Sequence, residues 1–267
     1  MMGRRTGAAE LRKKAQERQR RKGLAEALPL YADAARALEA ENKPDEAITM
    51  LSDALAAPGQ HSDAASHQQR ELRGMLAAML ARAHRVGDAI GEYEELLKLG
   101  TPDSQSLQAL AQLYVAAGKT NLATDRLRRA IDRSIAEGDI VEASRAAGRI
   151  AELMPESLEA ATQHAALLRN IGDDGLVAVL DRLVLMYRAM EKLSLEVSAC
   201  REILQLAPSR DDMKHRLVSL YTRILEMDPH DDEAWQGLRV VDPELADQVA
   251  VLLMDELTDK QPRSKAG

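Results

Sequence analysis

The chain has no phenylalanine and one tryptophan, and aromatic residues fill 2% of its 267 positions. A β-sandwich or barrel draws its core from aromatic and β-branched side chains, so this scarcity argues against a β fold. The abundant Ala and Leu suit close helix packing. A single cysteine, Cys200, excludes an internal disulfide framework and a cysteine-built metal cluster. Its spacing from Val197, Ile203 and Leu204 predicts a small core residue on a helix. No segment offers about 18 uninterrupted apolar residues, so no transmembrane helix is predicted. The opening Met-Met-Gly-Arg-Arg runs into further charge rather than the apolar stretch of a secretory leader, which sets the expectation of a cytoplasmic protein. Strand-like alternation and the Gly-rich dipeptides of β-hairpins are also missing.

What is present is charge, in an uneven arrangement. Lys and Arg number 36 against 43 Asp and Glu, a formal net charge of -7. That balance favours solubility and argues against a nucleic-acid surface over the whole body. Residues 4–22 go the other way, with nine Lys and Arg against Glu10 and Glu17. The segment lacks the apolar face of a membrane-surface helix, so residues 1–23 read as a basic extension, flexible or helical. The excess of Arg over Lys and the abundance of Ala point to a GC-rich, bacterial source.

From Leu24 onward apolar residues recur at three and four, the helical period. Pro-marked breaks fall at Pro44, Pro58, Pro102, Pro155, Pro208, Pro229 and Pro243. Asp242-Pro243-Glu244 is a helix start, in which Asp caps free amides, Pro fits the first turn and Glu meets the positive end of the dipole. About twelve helices and no sheet are expected.

A period of 34 underlies the pattern. One unit places Leu107, Leu110, Ala111 and Tyr114 on a helix, Gly118 at a turn, and Ala123, Leu127 and Ala130 on the next helix. Leu76, Ala77 and Leu80 precede Ala89, Tyr93 and Leu96 in the same register. Tyr31, Ala34, Ala35 and Leu38 precede Ala47, Leu51 and Ala54. Leu180, Leu183 and Tyr187 lead to Cys200 and Ile203, with Glu196 where a small residue is expected. Small residues let antiparallel helices approach, and large ones fill the space between hairpins. The pattern resembles the tetratricopeptide repeat. That resemblance implies an all-α, right-handed α-solenoid of antiparallel helical hairpins over residues 24–241. The second half departs from the repeat, and Pro208 to Pro229 leaves room for one helix. Leu245, Val249, Leu252, Leu253 and Leu257 form a stripe on a capping helix over 242–259, followed by a disordered tail at 260–267.

Catalytic signatures are weak. Ala117-Gly118-Lys119-Thr120 ends like a phosphate-binding loop, but Leu113 stands where that loop needs Gly and the context is helical. The six histidines show no metal-ligand spacing. Asp173-Asp174, Asp211-Asp212 and Asp231-Asp232 each open a helix after a break, where carboxylates cap amides. No enzyme activity and no cofactor are expected.

In tetratricopeptide proteins the first helix of each hairpin lines a groove that reads partner segments. Carried over by register, that stripe holds Asp33, Arg36, Met75, Arg82, Gln108, Gln112, Arg182, Leu185 and Arg188. It lacks the Lys and Asn set of members that grip chaperone carboxylates. Arg182, Leu185 and Arg188 share a face suited to an acidic partner segment with an apolar anchor. The expected function is a non-catalytic protein-interaction scaffold or adaptor whose partners are proteins, including acidic or amphipathic segments. Two alternatives are polyanion or nucleic-acid binding through residues 4–22, and an assembly factor or chaperone for a secretion or cell-surface apparatus.

Overall fold

A computed structural model describes residues 7–56, 63–100 and 103–259. Among them it forms fourteen helices and no strand. Two compact units divide at Leu153 and Met154. The first holds α1 (Ala8–Lys22), α2 (Leu24–Ala40), α3 (Pro44–Ala56), α4 (Asp63–Arg82), α5 (Val86–Lys98), α6 (Ser104–Ala116), α7 (Thr120–Glu137) and α8 (Ile140–Leu153). The second holds α9 (Leu158–Ile171), α10 (Leu176–Ala189), α11 (Leu193–Leu206), α12 (Asp211–Met227), α13 (Asp232–Val241) and α14 (Pro243–Asp259).

The helix starts follow the capping chemistry of the sequence. Asp103 accepts from the Ser106 amide at 2.7 Å, Ser157 from Ala160 at 3.2 Å, Asp231 from Ala234 at 2.8 Å and Asp242 from Leu245 at 3.0 Å. One turn recurs six times among the described residues. Asn42, His84, Gly118, Gly138, Gly172 and Glu191 take left-handed φ values between 54° and 79°. Each donates its N–H to the carbonyl three residues back, and the next residue donates five back, as in Lys119 to Tyr114 at 2.8 Å. This Schellman closure satisfies carbonyls left open at the helix end and reverses the chain.

Consecutive helices pack on one another within each unit. The small residues of the repeat sit at these contacts: Ala34, Ala35, Ala77, Ala111, Ala123, Ala130 and Ala147 are buried, with Leu51, Leu76, Leu110, Leu127 and Tyr114 between them. In the second unit Leu183, Cys200, Ile203, Leu217, Leu220, Tyr221 and Leu238 form the core. Cys200 is buried as predicted, and desolvation lifts its thiol to about 11. Pro208 to Pro229 holds the single helix α12, also as predicted.

Three expectations need correction. Fourteen helices replace about twelve, in part because the basic segment is itself a helix, α1. It lies on α2 and buries Ala8 and Ala15, so alanines do the packing that larger apolar residues do elsewhere. Leu252, expected in the buried stripe of α14, is exposed, while Ala246 and Val249 of that helix are buried. Asp211 and Asp212 do not cap α12 with their side chains but pair with Lys214 and Arg210. The predicted tail at 260–267 and the side chains of Leu253 and Leu257 lie outside the described residues.

Candidate functional site

The predicted stripe on the first helices is largely engaged with neighbouring helices of the same unit. Arg36 of α2 reaches Glu71 of α4 at 2.7 Å and Asp33 at 3.1 Å, and Arg82 of α4 reaches back to Glu39 of α2. Gln108 of α6 donates to Glu142 of α8 at 2.7 Å. With its amide oxygen turned toward α8, Gln112 accepts from Arg149 Nη1 at 2.7 Å. The links between helices join residues 34 to 43 positions apart, about one repeat, and tie α2 to α4 and α6 to α8. The exposed pairs, Arg36–Glu71 above all, contribute about 0–1 kcal/mol each and are open to exchange with another charge. Met75 is half-buried on α4.

Gln108 is buried at 8% exposure, not open to solvent as the stripe required. It belongs to a polar cluster with Ser104, Ser134 and Glu142. Ser134 donates to Ser104 at 2.7 Å, and Gln108 also approaches the Ser104 hydroxyl at 3.4 Å. α8 packs on α7 and supplies Glu142, which covers the Gln108 side of α6.

Beside this cluster α6, α7 and α8 leave an open cleft of about 240 Å³. Ala111, Val115, Leu127 and Leu153 make its apolar walls, with Gln112, Arg149 and Glu152 at the polar rim. Of the predicted stripe only Gln112 lines it. Val115 is exposed although apolar, on a helix whose other large apolar residues are buried. Arg149 lies 37 positions after Gln112, close to one repeat, but no residue pattern marks it.

In the second unit Leu185 is 61% exposed on α10. Arg182 donates to the Pro155 carbonyl. Arg188, expected free on the partner-facing stripe, lies 3.1 Å from Glu196, and Arg216 of α12 lies 2.6 Å from the same carboxylate oxygen. Glu196 is 1% exposed, so its charge requires these cations. Arg182, Leu185 and Arg188 share a helix, but Arg188, itself exposed, is paired with a buried carboxylate.

Among the described residues no group of three or more His, Cys, Asp or Glu side chains could hold a metal. Among those residues no helix is long and apolar enough to cross a membrane. Gly118-Lys119-Thr120 forms the α6–α7 turn.

No protein-family model matches the chain, and no curated protein matches it. Solved structures do. YrrB, described as a TPR protein with an unusual peptide-binding site, matches at a TM-score of 0.50 and 17% identity, over 79% of this chain and 98% of that one. BtubC (BKLC) from P. vanneervenii matches at 0.46 and 13% identity, over 76% and 89%. A tetratricopeptide repeat protein from Parabacteroides merdae matches at 0.34 and 15% identity, over 85% and 98%. The chain has a tetratricopeptide-like all-α helical repeat fold.

Proposed function

We propose that the protein is a non-catalytic cytoplasmic scaffold or adaptor that holds a segment of a partner protein on the first-helix face of its first unit. The α6–α8 cleft takes an apolar side chain of that segment. Gln112 and Arg149 at the rim meet its backbone or an adjacent carboxylate. Arg36 and Arg82 extend the same recognition along α2 and α4 by exchanging weak intramolecular pairs for the partner's acids. In the second unit Leu185, flanked by Arg182, is the corresponding contact. The observation that carries the reading is an apolar opening beside polar groups, on the helices that the repeat register assigns to partner recognition. YrrB, similar in fold, is described as having a peptide-binding site of an unusual kind.

An array of short peptides, each with one Leu, Ile or Phe in varied polar surroundings, probed with the purified protein tests this. Val115→Glu should abolish capture of the best binders, and Leu122→Glu, which places the same charge at an exposed apolar position of α7 outside the cleft, should preserve it. Equal binding by both variants would overturn the assignment of the cleft.

A further inference from the structure

α1 leaves a second opening, away from the α6–α8 cleft. Between this helix and the α2–α3 hairpin lies a cleft of about 450 Å³. Arg12, Gln16, Gln19 and Arg20 line one wall, at helical spacings that put them on one side of α1. Tyr31, Met50, Asp53 and Ala54 form the rest. The Tyr31 hydroxyl donates to Gln19 at 2.5 Å, which fixes the amide against the wall.

The arginines are the anomaly. Several half-buried guanidinium groups elsewhere have carboxylate partners, among them Arg73 with Glu92, Arg210 with Asp181 and Arg216 with Glu196. Arg12 is half-buried too, yet neither it nor Arg20 makes an ion pair or a hydrogen bond among the described residues. Both act on the Tyr31 phenol, whose pKa burial raises while Arg12 and Arg20 pull it down, so their charge is felt inside the cleft.

We infer that this cleft binds an extended acidic peptide segment of another protein, with one carboxylate on Arg12 and a second on Arg20. The two residues are eight apart, about 12 Å along the helix axis. Residues of an extended peptide advance about 3.3 Å each, so acids four apart match that span. Met50 and Ala54 offer apolar contact to the residue between them. Gln16 and Gln19 carry amides that both donate and accept, as a peptide backbone does.

A nucleic-acid strand fits less well. Every nucleotide of it carries a phosphate, and those phosphates only accept hydrogen bonds. Asp53 on the facing wall would repel so dense a row of negative charge, but could accept from a peptide N–H. The apolar membrane-facing side that a lipid surface requires is absent, because Ala8 and Ala15 are already packed against the hairpin.

The test is fluorescence anisotropy with the full chain and three labelled nine-residue probes: Glu at positions 3 and 7 with Leu at 5, Glu at 3 and 4 with the same Leu, and Gln in place of both Glu. A labelled oligothymidylate is the fourth probe. The first peptide should bind most tightly, with Arg12→Gln plus Arg20→Gln weakening it about tenfold or more. Lys13→Gln plus Arg21→Gln removes the same charge outside the cleft and should cost less than about threefold. Asp53→Asn should tighten binding. Since Arg12 and Arg20 hold no structural pair, helicity and melting temperature should stay unchanged. Equal losses in the two double variants, no preference for the four-residue spacing, or tighter binding of the oligothymidylate would overturn the inference.

Discussion

Arg216 donates from Nε to Oε1 of Glu196 at 2.6 Å, and that contact lets a carboxylate occupy a buried place where the repeat pattern calls for a small side chain. Removing Arg216 leaves the buried carboxylate with the longer Arg188 contact alone, whereas removing Glu196 as well leaves no buried charge to compensate. Arg216→Ala is therefore expected to destabilise by about 1–3 kcal/mol, below the cost of breaking an isolated buried pair because Arg188 stays beside Glu196 and Arg216 keeps some solvent contact. Glu196→Ala combined with Arg216→Ala should cost less than the two single changes added together. Urea unfolding of the four proteins in a double-mutant cycle measures the coupling. Strict additivity would mean that the pair does no stabilising work.

Leu110 and Gln108 lie on one helix and should respond for different reasons. Leu110→Ala opens a cavity in a fully buried site, at about 2–5 kcal/mol. Gln108→Ala deprives Glu142 of a donor and should cost about 1–2 kcal/mol. Thermal melts read both. A neutral Gln108→Ala would return that residue to the open face.

Gly237 is packed under the Tyr221 ring, and a Cβ there would collide with it. The ring cannot yield freely, since Arg201 donates to its hydroxyl at 2.5 Å and stacks 5.4 Å from its centre while pairing with Glu233. Gly237→Ala should destabilise by about 1–3 kcal/mol through overpacking. A Tm equal to that of the parent would place α12 and α13 further apart than they are described.

The recurring turn gives a pair of opposite signs. Glu191 adopts a left-handed φ of 54°, which L side chains resist and glycine does not. Glu191→Gly should raise stability by about 0.5–1 kcal/mol once glycine's larger unfolded-state entropy is subtracted. Gly118→Ala, at φ 70°, should lower it by about 0.5–1 kcal/mol by the same balance. Differential scanning calorimetry resolves the two shifts.

Cys200 supplies a pH signature. Burial raises its thiol to about 11 in the folded chain from an ordinary 9.0, so the folded state holds the proton more tightly than the unfolded one. The resulting stability is complete below pH 9 and is lost as pH rises toward 11. Across that window the parent should lose more stability than Cys200→Ala in chemical denaturation, and equal losses would contradict the raised value.

The hairpin register was legible because its signals are local: Leu110, Ala111 and Tyr114 recur at helical spacing, and Gly118 announces its turn. Asn42, His84 and Glu191 form the same turn without glycine, and their residue types give no such notice. The stripe was legible only as a set of positions. Whether Gln108 faces solvent depends on α8, and whether Arg188 is free depends on a carboxylate eight residues later that needs Arg216 from a third helix. Periodicity assigns a side of a helix, but the helices that cover that side are a matter of packing.

The side-chain links between helices have short reach along the chain. The farthest among the described residues, from Arg82 to Glu39, joins positions 43 apart. Little loop entropy stands between the unfolded chain and any one pairing, so the topology is of the low contact order that folds quickly. Each helix is steadied mainly by its sequence neighbours, and local opening need not engage a whole unit at once. Amide hydrogen exchange should accordingly show protection graded along the chain, highest where α6, α7 and α8 share their buried serine and glutamine cluster and lower in helices with a single packed neighbour.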